Sequence, residues 1–107
     1  MSIPEITVDQ LAERLAGGGA VLFDVRQPDE YEAARVPGAV LVPLGEVPDR
    51  VAEFPTGREV LVICKSGGRS AQAVEFLRDR GVDAVNIAGG TMAWISTGRP
   101  VETGGNS

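Results

Sequence analysis

The residues best placed to do chemistry are Cys64-Lys65-Ser66-Gly67-Gly68-Arg69-Ser70, between the apolar run Val60-Leu61-Val62-Ile63 and a segment of helical period. A buried strand that ends in a tight glycine loop and leads into a helix aims several backbone N–H groups at one point. Such a nest binds anions. Gly67 and Gly68 supply the backbone freedom the loop needs. The group offered to the nest is a thiol, and the same dipoles favour thiolate: free cysteine titrates near about 8.5, and comparable sites bring it to about 3.5–7.5. The plain alternative is a buried strand-end cysteine, a common fate for this residue type. A core cysteine, however, does not need a Gly-Gly-Arg-Ser loop around it.

The neighbours fit an anionic reaction partner. Lys65 is the only lysine of the chain and adjoins the only cysteine. A cation there suits capture of an anionic donor, although one lysine must fall somewhere in an arginine-rich composition. Arg69 is expected to face the pocket rather than solvent. Ser66 and Ser70 can donate to the sulfur, and Ser70 is equally placed to cap the following helix.

Chain-wide counts remove other chemistries. With 107 residues, one cysteine and no histidine, the chain makes no internal disulfide, no Ser-His-Asp triad and no Cys-His dyad. A metal site would have to be built from one cysteine and carboxylates, so none is expected. No cofactor is expected either. The net charge of −5 speaks against nucleic acid and anionic membranes as partners. The N-terminus lacks a basic segment followed by an apolar one, and no apolar run is long enough to span a bilayer, so a cytoplasmic, reducing location is expected.

Short apolar runs alternate with helix-period segments, which predicts an α/β domain with a mostly parallel sheet. Thr7 and Gln10 have capping-box spacing, and Val8, Leu11, Ala12 and Leu15 line one face of a first helix stopped by the glycines at 17–19. Strands are predicted at 20–25, 39–42, 59–64 and 83–87. Helices are predicted at 29–34, 69–80 and about the Met92-Ala93-Trp94 segment, with short helical turns over 44–54. One domain is expected over 4–100, followed by a loose, glycine-rich tail over 101–107.

In order along the chain, four segments resemble the rhodanese (sulfurtransferase) family. They are Asp24-Val25-Arg26 with Glu30-Tyr31, Pro37-Gly38-Ala39 with Val42-Pro43, Cys64-x-x-Gly67-x-Arg69-Ser70, and Gly81 with Gly89-Gly90 and Ala93-Trp94. The resemblance covers roughly 6–100. Two departures stand out: Arg35-Val36 replaces the family's usual His-Ile, and Lys65 replaces a common arginine, keeping the charge without the planar fork.

The resemblance implies a rhodanese-like three-layer fold, a parallel five-stranded sheet flanked by helices. It also implies that the Cys64 thiolate takes the outer sulfur of a donor such as thiosulfate and passes it on as a persulfide. The acceptor (cyanide, a thiol or another protein) comes from outside, because no second cysteine is present. In this scheme the amides of residues 65–69 hold the persulfide, and Lys65 and Arg69 attract the donor. Asp24 bonds loop amides or pairs with Arg69, unless it is merely a strand-end residue. Arg26 lies near the rim or pairs with Glu30. Three other readings remain open: a persulfide relay between proteins, a regulatory binding module, and a phosphatase or arsenate reductase. The last of these uses a Cys-x5-Arg loop, one residue longer than the loop here.

Overall fold

The central strand of the sheet is apolar on both sides, and the rest of the architecture follows from covering them. The computed structural model describes residues 3–104. In chain order the elements are β1 (Glu5–Ile6), α1 (Val8–Ala16), β2 (Val21–Asp24), α2 (Pro28–Ala33), β3 (Val40–Leu41), a 3-10 segment (Leu44–Glu53), β4 (Glu59–Ile63), α3 (Gly68–Asp79), β5 (Asp83–Ile87) and α4 (Gly90–Ser96). All strand pairs are parallel, in the order β1-β5-β4-β2-β3. The fold is therefore an α/β architecture with a parallel five-stranded sheet, as the resemblance implies.

Side chains alternate across a strand, and both alternating sets are buried here. Val60, Val62 and Cys64 face Ala73, Val74 and Leu77 of α3, Val47 of the 3-10 segment and Phe54 just after it. Leu61 and Ile63 face Leu11 of α1 and Trp94 of α4 on the other side. This two-sided covering is why β4 reads as an unbroken apolar run. At the start of α1, the Thr7 hydroxyl accepts from the Gln10 amide and the Gln10 side chain accepts from the Thr7 amide, as the spacing predicts.

Three differences from the sequence reading have physical causes. The fifth strand, β1, spans two residues, too few to show a period; it is held by hydrogen bonds from Asn86 N to Pro4 O and from Ala88 N to Ile6 O. Helix α3 begins at Gly68, capped by Gly67 at φ +114°, so Ser70 lies inside the first turn and is not the cap. The tail is tied down through 104: Arg35 and Glu102 form an antiparallel bridge, and the Gly104 amide donates to Glu32 O. Residues 105–107 of the expected loose tail lie outside the described residues.

Arg35, at the departure from His-Ile, is the residue that anchors this end. It is buried, lies over the Tyr31 ring at 4.3 Å and donates through Nη1 to Tyr31 O and Gly104 O. A long cation thus joins Tyr31 of α2 to Gly104, a contact that depends on the guanidinium's length.

Candidate active site

Cys64 sits one residue beyond β4, at the carboxyl edge of the parallel sheet, where open α/β sheets bind ligands. Its sulfur is enclosed by the loop that follows. Gly67 N donates to Sγ at 3.1 Å and Ser70 Oγ donates at 3.2 Å, while the amides of Ser66 and Ser70 also face it. Burial pushes the thiol up, but these donors outweigh it, so its titration point is lowered from the ordinary value. The nest therefore draws on Ser66, Gly67 and Ser70, one residue further along than the 65–69 stretch expected from sequence.

The loop is braced from α4. Thr91 N and Met92 N donate to the carbonyls of Cys64 and Lys65 at 2.9 and 3.0 Å, and the Thr91 hydroxyl donates to Cys64 O. This approach leaves no room beneath the loop: a Cβ on Gly90 would fall 2.6 Å from both carbonyl oxygens, at a φ of +58°. Gly90 is thus required by contact with the loop, whereas Gly89 is required by its φ of +78° and by Ala93, whose Cβ would lie 2.7 Å from an added Cβ.

Beside the loop lies a cleft of about 220 Å³ lined by Arg26, Glu30, Ala33, Lys65, Thr91, Met92 and Ile95. Lys65 is exposed and has no carboxylate partner among the described residues. Met92 and Ile95 are large apolar residues about half exposed.

A family model described as the rhodanese-like domain matches residues 7–97. The chain belongs to the rhodanese-like family. It is 38% identical over 101 residues to a protein of Allochromatium vinosum named a sulfurtransferase, covering 92% of this chain and 94% of that one. The solved structure of a rhodanese-related protein from Thermoplasma volcanium superposes with a TM-score of 0.86 at 31% identity, covering 92% of this chain and 97% of that one. A thiosulfate sulfurtransferase from Pseudomonas aeruginosa aligns with a TM-score of 0.85 at 32% identity over 95% of this chain, but only 20% of that longer chain.

Within this rhodanese-like chain the motif residues divide differently from the sequence expectation. Asp24 contacts neither the loop amides nor Arg69. Its carboxylate accepts from Arg26 Nε and Nη2 at 2.7–3.1 Å, and from the Arg26 amide. Correspondingly, Arg26 pairs with Asp24 and not with Glu30, and its Nη2 also donates to Ala34 O. The bond is local because the two side chains leave the same strand end, two residues apart. Both are buried, so this pair fixes the backbone around α2. Removing one partner would leave a buried charge, a loss on the order of 3–5 kcal/mol.

Two of the five N–H groups of Arg69 are committed to Glu30, which fixes how the guanidinium sits. Nη1 and Nη2 donate to the two carboxylate oxygens of Glu30 at 2.7 and 2.9 Å, with both side chains about a third exposed. The guanidinium holds the Glu30 carboxyl down to about 2, and the Gln27 amide adds to this. Glu30 in turn raises Arg69 further above its already high value. Next to Glu30, Tyr31 donates its hydroxyl to Ala39 O and so pins the Pro37-Gly38-Ala39 turn.

Sequence reasoning missed Asn86 and Thr91 at this site and saw Glu30 as a motif residue and a partner for Arg26, not for Arg69. Asn86 carried a signal, being a polar residue inside the otherwise apolar β5 stretch Ala84-Val85-Asn86-Ile87.

Proposed function

We propose that the protein is a sulfurtransferase that moves a sulfane sulfur from thiosulfate or a persulfide donor to a thiophilic acceptor, carrying it on Cys64. The observation that carries this reading is the thiol held at the strand end by amide and hydroxyl donors of the loop that follows it. The sulfurtransferase relatives support the reaction class. The thiosulfate specificity rests on the chemistry of the site and on the name of one structural neighbour.

In the first half-reaction the Cys64 thiolate attacks the outer sulfur of thiosulfate. An S–S bond forms to Cys64, the donor's S–S bond breaks, and sulfite leaves with the bonding pair. The persulfide keeps the remaining negative charge on its terminal sulfur. In the second, cyanide or a thiolate attacks that terminal sulfur and Cys64 leaves as thiolate, the form that began the cycle. No general base is required when the donors around the sulfur already keep it ionised, which suits a chain without histidine. The amides act as an oxyanion hole does, aimed at the Cys64 sulfur, which carries the charge at the start and the end of each cycle.

Lys65 is the exposed cation for donor capture. Arg69 supports it through the N–H groups that Glu30 leaves unused. Ser66, Gly67, Gly68 and Ser70 shape the nest, and Asp24 with Arg26 holds the wall of the cleft. Exposed Met92 and Ile95 beside Lys65 favour a second reading, a relay in which the donor or acceptor is itself a protein.

The test is intact mass after incubation with thiosulfate, with Cys64→Ser alongside and with cyanide added afterwards. A gain of one sulfur atom, absent from the variant and reversed by cyanide, is the expected result. A folded protein with a reactive thiol that gains no sulfur would rule out thiosulfate as donor and leave the protein relay.

A further inference from the structure

Behind the sulfur runs a polar chain, Ser70-Asn86-Glu5, of which the reaction scheme uses only Ser70. Ser70 is fully buried and Asn86 is 1% exposed. The Ser70 hydroxyl lies 2.5 Å from Asn86 Oδ1, 3.2 Å from Cys64 Sγ and 3.3 Å from Gly67 O. It has one proton to give to three acceptors. Asn86 cannot turn round to offer its amino group instead, because Nδ2 already donates to Glu5 Oε2 at 2.8 Å and to Gly67 O at 3.3 Å. A flipped amide would set oxygen against oxygen at both contacts.

We infer that Asn86, clamped by Glu5, is a positioning residue for Cys64: it competes with the sulfur for the Ser70 proton. This deepens, and rests on, the reading of Cys64 as the sulfur carrier. Two oxygens at 2.5 Å need a proton between them. In the thiol state, therefore, Ser70 donates to Asn86 and turns a lone pair toward the S–H, which donates to it. When the sulfur is an anion the Ser70 proton must swing to it, and the Ser70 and Asn86 oxygens then face each other unshielded.

Asn86 thus opposes the amides, holding the thiolate short of the stability the nest alone would confer. A sulfur that is too stable an anion attacks poorly, because nucleophilicity falls with basicity. Opposition from Asn86 keeps Cys64 competent both to attack and to leave.

The experiment is the pH dependence of iodoacetamide alkylation at Cys64, read as the midpoint of the rate profile. The charged groups around the sulfur are Arg69 and Glu30, the Asp24–Arg26 pair, Lys65 and Glu5; Asn86→Leu removes none of these charges and takes a hydrogen-bond partner only from Glu5, which is exposed to water. Losing the competitor should lower the midpoint by about one unit, the scale of one hydrogen bond to a charged group. In a Ser70→Ala background the same change should do nothing, because there is no proton to redirect. If Asn86 only ties β5 to the loop, its loss leaves the midpoint unchanged or raises it, and that result overturns the inference.

Should Asn86→Leu fail to fold, the exposed clamp gives the answer. Glu5→Ala lets the amide turn and should lower the midpoint further than Glu5→Gln, which removes the same charge but keeps an acceptor for Nδ2. Equal midpoints for the two overturn the inference. Alkylation does not depend on sulfur transfer. A shifted midpoint without sulfur uptake from thiosulfate therefore faults the donor, and sulfur uptake without the shift faults the role of Asn86.

Discussion

Gly90→Ala should damage this protein more than its single methyl group suggests. The residue sits at φ +58°, where an L side chain costs about 1–2 kcal/mol. Its Cβ would also stand 2.6 Å from the carbonyl oxygens of Cys64 and Lys65. Both are backbone atoms that already accept hydrogen bonds from α4, so relief requires moving the loop or the helix. Forced overpacking of this kind costs about 1–3 kcal/mol. Together the two effects come to about 2–5 kcal/mol, a large part of the roughly 5–15 kcal/mol that stabilises a domain.

Urea unfolding gives the readout. With a slope of about 1–3 kcal/mol per molar, the midpoint should drop by about 0.7 M or more. Gly68→Ala is the internal comparison, since nothing lies within 4 Å of its Cβ and its φ is ordinary. As an added alanine at a helix start it should leave the midpoint unchanged or slightly raised. In the surviving fold of Gly90→Ala, displacement of the Cys64 carbonyl should also disturb the sulfur's donors and raise the alkylation midpoint. Equal urea midpoints for Gly90→Ala and Gly68→Ala would refute the close packing of α4 beneath the loop.

Arg69→Ala should weaken thiosulfate use at least about tenfold while costing only about 1 kcal/mol of stability, as a partly exposed ion pair does; unchanged transfer kinetics would remove Arg69 from the site. The Glu30 carboxyl titrates near 2 in the folded chain, below its unfolded value, so its stabilising share is complete above the unfolded value and is lost as pH falls toward about 2. The stability gap between wild type and Glu30→Gln should therefore close over that acid range in urea titrations. Arg35→Ala leaves the carbonyls of Tyr31 and Gly104 without their donor and should cost about 2–4 kcal/mol, with faster hydrogen exchange at the Gly104 amide.

Elements that depend on neighbours in sequence were legible. The Thr7–Gln10 capping box, the two-sided apolar run of β4, the span of β5 and the glycine loop between β4 and α3 all follow from local dihedral preferences and from the 2.0 and 3.6 periods. Two-residue β1 was not, because its pairing with β5 joins residues far apart in the chain. The bridged segment at Glu102 was missed for the same reason: a glycine-rich composition suggests looseness, and the anchors, Arg35 and Glu32, lie about 70 positions away.

The sequence alone determined the type of chemistry: a single thiol at a strand end, a loop rich in amides, and no histidine to serve as base. Tertiary structure decided which polar groups meet. Arg69 and Glu30 are 39 positions apart, and Asn86 and Glu5 are 81 apart. Several carboxylates were chemically acceptable to Arg69, and sequence spacing could not rank them. Charge pairing is decided by distance and shared burial, which depend on how the sheet brings its carboxyl edge together. Thiolate formation depends first on the local loop, and so was readable in advance.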